Sequence, residues 1–300
     1  MADRSTVKWQ KVTAVVVTHN RPEDLKRCVS ALLHQTYPLC NIIVFDNAGA
    51  QPVRDVLPAD PKLHVERSEA NRGGAGGFAA GLELALKQDV DWVFLLDDDA
   101  VAQPDALEQL LLAEPDCQDC GVLLCGVNEF SEIAVRHRRR FDRLSGFEWS
   151  ISRSSYWRKV IQVDTGSFVG FLVRAKIARN IPLPNADYFL AFDDTEYSLS
   201  IRQTGASLWL VPGSRIDHLR SSDSRLRQGP FGWKHFLNVR NHMVVKMRYA
   251  KIKPFALTLS IVYGLAVWLR SGGLQRPSSL KLLFRALGDG LACRLGPPRW

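Results

Sequence analysis

Three consecutive carboxylates, Asp97 to Asp99, are the residues of this sequence best suited to chemistry. They follow an apolar run from Val93 to Leu96 and so stand at the end of a predicted buried strand. Adjacent carboxylates repel one another unless a cation offsets their charge. Alternate residues of an extended chain point the same way, so Asp97 and Asp99 can face one ion. Oxygen ligands favour Mg²⁺ or Mn²⁺, and we predict such a site here rather than a solvated acidic loop or a helix cap.

A glycine-rich segment from Asn71 to Gly77 precedes this strand, and we predict a turn there, followed by a helix from Phe78 to about Lys87. It loosely fits the G-x-G-x-x-A pattern of nicotinamide and flavin enzymes, which is the main rival interpretation. In those enzymes the pattern follows the first strand, whereas here it comes after later predicted strands as well, and a ribose site needs one acid rather than three. A tight turn that lets a helix approach the sheet is a further alternative. Without a side chain, glycine also lets the backbone approach a diphosphate closely, which makes Gly76 a candidate for donor binding.

A second acidic pair, Asp193 and Asp194, opens a helix predicted over residues 192–203. Such a pair can be a simple helix N-cap. Beside a metal and diphosphate site, one of the two carboxylates becomes a candidate general base for an acceptor hydroxyl. His218 follows a strand predicted over residues 207–211. Together with Asp97 and Asp99, it is a candidate third metal ligand.

The elements that must position these residues alternate between strands and helices. Apolar strands are predicted at 12–18, 41–46, 63–66 and 92–96, with helices at 23–35 and 78–87. This pattern indicates an α/β fold with a mostly parallel sheet. Ligands bind such sheets beyond the carboxyl ends of the strands. Four polar residues lie at those ends: Thr18, Asp46, Asn71 and Asp97.

The last part of the chain differs from the rest, because it is mostly helical after about residue 230. Residues 254–269 form its most apolar stretch, yet about 15 residues fall short of the ~20 that cross a bilayer. Basic residues flank the stretch: Lys246, Arg248, Lys251, Lys253, Arg270 and Arg276. A basic helix with an apolar body suits a membrane surface, which we favour slightly over a core helix or a dimer contact.

The net charge of +8 and a basic run at 136–143 point to anionic partners, namely nucleotide, phospholipid or nucleic acid. We rank a nucleic-acid-binding protein third, since such a run is more often a solvated face or a loop near phosphate. The polar N-terminus does not fit a secretory signal. The six cysteines are therefore expected to be reduced thiols, and we expect a cytoplasmic protein.

These segments together resemble the family 2 glycosyltransferases, which have the GT-A fold. The resemblance covers about residues 10–245 and rests on motifs in matching order: Val15 to Arg21, Asp46-Asn47, Asn71 to Gly81, Asp97 to Asp99, Phe192 to Glu196 and His218. The glycine segment and the three aspartates are most similar to bacterial galactofuranosyltransferases, with rhamnosyltransferases close behind. Asn238 to Asn241 resembles an Arg-Asn segment that follows the catalytic domain in these enzymes.

The resemblance implies roles for each motif. Thr18, Arg21, Asp46, Asn71, Gly76, Asp97 and Asp98 would bind the nucleotide-sugar. Asp97, Asp99 and His218 would hold Mn²⁺ or Mg²⁺. Asp194 would be the catalytic base, with Asp193 as second choice.

The resemblance also implies the reaction. Residues 1–225 would form the GT-A catalytic domain, and residues 226–300 a helical region at the cytoplasmic face of the inner membrane. The enzyme would move galactofuranose from UDP-galactofuranose, with inversion, onto a cell-surface glycan or a lipid-linked acceptor. Rhamnosyl transfer from dTDP-rhamnose is the alternative within the family, and a nucleotidyltransferase is the second class. We expect no nucleic-acid partner, and the oligomeric state stays open.

Overall fold

A computed structural model describes residues 9–219 and 229–298. The first half alternates strand and helix as predicted: β1 (Val12–Thr18), α1 (Pro22–Leu33), β2 (Asn41–Asp46), β3 (Leu63–Arg67), α2 (Gly73–Leu86) and β4 (Trp92–Asp97). The predicted bounds of β1 and β2 are those observed. The predicted domain boundary at residues 225 and 226 lies outside the described residues.

The second half adds shorter strands and the remaining helices. They are β5 (Ala100–Ala102), α3 (Ala106–Ala113), β6 (Cys120–Glu129), β7 (Glu132–Ile133), β8 (Arg138–Phe141), β9 (Glu148–Ser150), β10 (Ile161–Val163), β11 (Thr165–Gly166), β12 (Phe171–Arg174), α4 (Ala175–Ala178), α5 (Asp193–Gln203), β13 (Ser207–His218), α6 (Trp233–Tyr249), α7 (Lys253–Arg270) and α8 (Leu280–Leu291). The strand predicted to end at Val211 continues to His218, which carries that histidine to the functional edge of the sheet.

The central sheet has the strand order β10-β13-β6-β12-β4-β1-β2-β3, and outside this order β5 pairs with β13 and β7 pairs with β6. The strands β3, β2, β1, β4, β6 and β13 run in one direction, while β12 and β10 run against them. A separate sheet joins β11, β8 and β9. The fold is thus α/β with a mostly parallel central sheet, as predicted.

The core lies on both faces of this sheet. Val12, Ala14 and Val16 of β1 belong to one apolar cluster, and Val15 and Val17 belong to the other. A strand that is buried on both sides needs apolar residues at every position, which is why β1 reads as an unbroken apolar run.

Helix α2 begins earlier than predicted, because Gly73 to Gly77 form its first turns rather than a turn before it. The reason is packing against β1. A β-carbon at Gly77 would lie 2.5 Å from Val17, and one at Gly81 would lie 2.4 Å from Val15. Glycine therefore lets the helix lie directly on the sheet, and this contact outweighs the low helix propensity of glycine.

The basic run at 136–143 is not a free patch of charge. Arg138 is fully buried and donates to the carbonyls of Cys125 and Val169. Its neighbours pair with acids: Arg136 with Glu129, Arg139 with Glu148, and Arg140 with Asp164. The interpretation of this run as a solvated basic face was therefore wrong.

Helices α6, α7 and α8 pack on one another through an apolar cluster that includes Phe236, Val239, Trp268 and Leu283. Within residues 9–219 and 229–298, no helix combines the length and apolar character that a membrane crossing requires. The fold thus places a helical layer beside the α/β sheet. Of these helices, α6 contacts the loop that precedes Asp193 and Asp194 of α5.

Candidate active site

The pairing of β5 with β13 brings the metal-ligand candidates together. His218 lies opposite Ala100 in this ladder, and the Leu219 amide donates to the Asp99 carbonyl at 2.8 Å. His218 Nε2 is consequently 3.0 Å from Asp99 Oδ1. The donor atoms of Asp97, Asp99 and His218 all lie within 4.8 Å of one another. Two carboxylates and an imidazole at this spacing suit a divalent cation.

Glu129 orients the histidine of this group from behind. Its Oε1 lies 3.0 Å from His218 Nδ1 and 2.9 Å from His137 Nε2. Its other oxygen pairs with Arg136, and His137 Nδ1 lies 2.7 Å from Ser167 Oγ. A carboxylate on the far nitrogen of a ligand histidine fixes the ring and its tautomer. Glu129, His137 and His218 could also hold an ion themselves, but the guanidinium already on Glu129 opposes a second cation there.

Asp98 points away from the metal group. Its carboxylate accepts from Thr18 Oγ1 at 2.8 Å and from Arg21 Nη1 at 3.1 Å, and the same Arg21 nitrogen donates to Asp99 at 2.8 Å. Burial raises the pKa of Asp98 to about 7, although the Arg21 charge opposes that rise. These contacts tie the end of β1 to the loop that carries Asp97 and Asp99, so Thr18, Arg21 and Asp98 shape the cleft wall together.

Asp193 and Asp194 occupy different environments at the start of α5. Asp193 is buried, and burial raises its pKa well above the ordinary range, with the Asp194 charge adding to the shift. Burial also raises the pKa of Asp194, while the Arg139 guanidinium opposes the shift. Asp194 is only half-buried, and its Oδ1 accepts from the Thr195 amide at 2.5 Å. Asp194 is therefore the more accessible of the two carboxylates.

The acidic pair faces the metal group electrostatically. Asp97 is one of the charges that raise the pKa of Asp193, which requires the two carboxylates to be near one another. The end of β4 and the start of α5 thus bring two acidic sets near one another at the carboxyl ends of the parallel strands, where α/β sheets bind their ligands.

Asp46 and Asn47, at the end of β2, are held by hydrogen bonds to the loops that follow β2 and β3. Asp46 is buried and accepts from the Gly49 amide at 3.0 Å, the Val53 amide at 3.3 Å and the guanidinium of Arg67. Its carboxylate therefore shapes the loop after β2. Asn47 Nδ2, next to it, donates to Asn71 Oδ1 at 3.2 Å and to the Gly73 carbonyl at 2.9 Å.

Comparison with known proteins decides the class. The sequence matches the family Glycosyl transferase family 2 over residues 13–176, more than half of the chain. The chain belongs to this family.

Curated relatives of this family 2 glycosyltransferase include galactofuranosyltransferases. GlfT1 of Mycobacterium tuberculosis (strain H37Rv) is 32% identical over 206 residues, which are 65% of this chain and 66% of GlfT1. GlfT2 of the same strain is 26% identical over 267 residues, which are 77% of this chain and 40% of GlfT2. The chain thus matches slightly less than two thirds of GlfT1 and under half of GlfT2.

Solved structures share the fold of this glycosyltransferase. GalNAc-T7 with UDP, GalNAc and Mn²⁺ has a TM-score of 0.60 at 16% identity, covering 79% of this chain and 47% of that chain. Residues 1–349 of TarS from S. aureus, in complex with UDP, have a TM-score of 0.57 at 13% identity, covering 93% and 80%. These likenesses establish the GT-A fold of the catalytic region.

Of the predicted site residues, Asp97, Asp99 and His218 come together in the structure, and Thr18 and Arg21 contact the neighbouring Asp98. Gly76 lies in the first turns of α2, where its missing β-carbon makes room for the Arg72 side chain. Sequence reasoning did not single out Glu129, His137 or Asn47 as site residues. Glu129 ends β6 at the same edge as Asp97 ends β4, so the rule that identified Asp97 could have identified Glu129.

Proposed function

We propose that this glycosyltransferase is an inverting, metal-dependent enzyme that transfers galactofuranose from UDP-galactofuranose to a hydroxyl of a cell-surface or lipid-linked glycan. The observation that carries the proposal is that the β5–β13 ladder brings Asp99 and His218 together with Asp97 at the end of β4. The partly exposed Asp194 at the start of α5 is the proposed base. The galactofuranosyltransferase relatives support the sugar, and the UDP and Mn²⁺ of the structural neighbours support the donor class and the ion.

Four residues would act on the donor. Asp97, Asp99 and His218 would hold Mn²⁺ or Mg²⁺, which when bound stabilises the negative charge that develops on a leaving diphosphate. Arg21 pairs with Asp98 and Asp99 with its side chain partly exposed, and is placed to donate to a phosphate oxygen as well. Stabilising charge that grows in the transition state accelerates transfer more than tighter ground-state binding would.

The acceptor side would depend on Asp194. Thr195 and Arg139 favour its ionised form, and its Oδ2 has no hydrogen-bond partner among residues 9–219 and 229–298. That oxygen would take the proton from the acceptor hydroxyl as the hydroxyl attacks the anomeric carbon from the face opposite the leaving group. A single displacement of this kind inverts the configuration. Asp193 would support its neighbour from a more buried position.

A donor screen tests this proposal. Purified protein would be incubated with UDP-galactofuranose, UDP-galactopyranose and dTDP-rhamnose, with Mn²⁺, Mg²⁺ or EDTA, and with a galactofuranose-containing acceptor. We expect metal-dependent transfer from UDP-galactofuranose, loss of transfer in Asp194→Asn, and unchanged UDP binding in that variant. Transfer only from dTDP-rhamnose would replace the sugar assignment, and loss of UDP binding together with transfer in Asp194→Asn would overturn the base assignment.

We propose also that residues 226–300 form a region that rests on the cytoplasmic face of the inner membrane. On α7, the exposed residues Phe255, Val262 and Leu269 recur at seven-residue spacing and therefore share one face. Phe284 and Leu291 repeat the pattern on α8. Exposed basic residues surround this face: Lys251, Lys253, Arg270, Arg276 and Lys281. Apolar residues within a basic border suit an anionic lipid surface, to which each basic residue contributes about 1 kcal/mol.

Vesicle sedimentation tests the membrane contact. We expect the protein to sediment with vesicles that contain phosphatidylglycerol and to stay in solution with pure phosphatidylcholine. Val262→Ser should weaken sedimentation, whereas His64→Ser, on an exposed strand of the catalytic sheet, should not. The wild-type protein could instead fail to bind anionic vesicles and form a dimer that Val262→Ser dissociates. That result would show that this face binds a second copy.

A further inference from the structure

The loop before the acidic pair has a strained backbone. Phe189, Ala191 and Phe192 have φ values of 62°, 68° and 68°, in the left-handed region that side chains with a β-carbon rarely adopt. Such conformations persist only where the surrounding structure holds them, and they concentrate at functional sites. The next residues are Asp193 and Asp194, so the strained loop determines where the proposed base stands.

Asn241 of α6 holds this loop from the side of the helical region. Asn241 is fully buried, and its Nδ2 lies 2.9 Å from each of the carbonyl oxygens of Tyr188, Leu190 and Ala191. One amide nitrogen thus contacts three carbonyls within four residues. The NH2 group has two hydrogens, so three acceptors are one more than its own burial requires.

Arg240 fixes the orientation of the Asn241 amide. Its Nε donates to Asn241 Oδ1 at 2.9 Å, so the Asn241 nitrogen must face the loop. Arg240 Nη2 lies 3.3 Å from the Tyr188 carbonyl, and Nη1 donates to the Gly296 carbonyl at 2.7 Å. The arginine and the asparagine therefore act as one unit against the loop backbone.

Helix α2 holds the same loop from the other side. The Ala75 amide donates to the Phe189 carbonyl at 3.3 Å, and a β-carbon at Gly73 would lie 2.0 Å from that oxygen. The loop is consequently confined between the start of α2, on the donor side, and α6, on the side of the helical region.

We propose that Asn241 is a positioning residue for Asp194, with Arg240 orienting its amide; this inference rests on the proposed role of Asp194 as base. The last of the three carbonyls that accept from Asn241 belongs to Ala191, three residues before Asp194. Movement of the Asn241 amide therefore moves the start of α5. Through Arg240 and Asn241, helix α6 therefore positions the proposed base, and the C-terminal helices do not serve membrane attachment alone.

The test compares two asparagines of one helix. Asn241→Asp is isosteric but has no N–H donor, and Asn241→Gln keeps the donor. The control is Asn238→Ala, because Asn238 is also buried on α6 but accepts from the Tyr263 hydroxyl of α7 instead of holding the loop. The measurements are amide hydrogen exchange over residues 189–197, kcat and KM for transfer, and the Kd for UDP.

For Asn241→Asp we expect faster exchange over 189–197 and a kcat at least about tenfold lower, since misplacing a catalytic group by about 1 Å costs that much or more. The KM for donor and the Kd for UDP should change less than about twofold, because Asn241 does not contact the donor side. Asn241→Gln should recover part of kcat, and Asn238→Ala should leave exchange over 189–197 and kcat at their wild-type values.

Two results would overturn the inference. One is an Asn241→Asp protein whose loop exchanges like wild type, and the other is an unchanged kcat in that variant while Asp194→Asn abolishes transfer. Failure of the proposed function looks different, because Asp194→Asn would then retain transfer. The exchange data would still decide separately whether Asn241 holds the loop.

Discussion

His218 Nε2 lies 3.0 Å from Asp99 Oδ1, and the opposite nitrogen of the same ring lies 3.0 Å from Glu129. The imidazole is thus fixed between a carboxylate that faces the cleft and one that is buried behind it. This arrangement resembles the carboxylate–histidine–metal pattern in which the rear acid sets the tautomer of the ligand.

The first prediction concerns metal affinity. His218→Ala should weaken Mn²⁺ binding most, and Glu129→Gln should weaken it about 10- to 100-fold, as is typical when the partner of a ligand histidine is lost. Free Mn²⁺ would be measured by electron paramagnetic resonance, which needs no activity. His64→Ala, an exposed histidine, is the control. Wild-type affinity in His218→Ala would remove His218 from the ligand set.

The second prediction concerns the glycine segment. Gly73→Ala should destabilise the protein by about 2 kcal/mol or more, because the backbone has φ of 70° and the β-carbon would meet the Phe189 carbonyl. Gly74→Ala, one residue later, meets nothing within 4 Å and should stabilise the helix by about 0.5 kcal/mol. Urea unfolding measures both. Equal effects would contradict the packing of the loop on α2.

The third prediction concerns the pH dependence of transfer. Asp194 must be ionised to accept a proton, so activity should fall as pH drops through its pKa. Because burial raises that pKa, the fall should begin at higher pH than for an exposed aspartate. Arg139 lowers the pKa, so Arg139→Gln should move the acid limb of kcat upward. Arg140→Gln, whose guanidinium lies 4.0 Å from Asp164, should leave the limb in place. An acid limb that does not respond to Arg139→Gln would contradict the assignment.

The fourth prediction concerns stability in the presence of EDTA. The folded-state pKa of Asp193 is raised, so folding is favoured while the carboxyl is protonated. That contribution is complete below the unfolded pKa and is lost as pH rises through the folded one. Asp193→Asn stays neutral, and its melting temperature should exceed that of wild type at pH 8 by more than at pH 5. Asp55→Asn, at an exposed site, should show no such difference. A constant difference across pH would argue against a buried, perturbed Asp193.

The predictable part of the fold was its parallel half. β1 and β2 are buried on both faces, so their sequences are continuous apolar runs that end in polar residues. The start of α2 could not be predicted from local preference, since four of its first five residues are glycines of low helix propensity, and the close packing of Gly77 on Val17 depends on the tertiary fold.

The site residues also differ in how far they could be predicted from the sequence. Asp97, Asp99 and Asp194 stand in local acidic motifs, whereas Glu129 and Asn241 act through contacts with residues distant in sequence. Glu129 meets His218 across 89 positions, and Asn241 meets Ala191 across 50 positions. A single sequence carries no local signal for such pairs.

The β5–β13 ladder has a consequence for the order of assembly. Asp99 and His218 are 119 positions apart (218 − 99), so their meeting closes one of the longest loops of the chain. Closing long loops is slow, because the entropy of the intervening chain is lost before contacts compensate for it. The proposed ion-binding group therefore cannot form in early folding species that contain only β1 to β4. During refolding, tight Mn²⁺ binding should appear only when β13 has paired with β5. The rate at which Mn²⁺ binding appears would therefore measure the rate of that step.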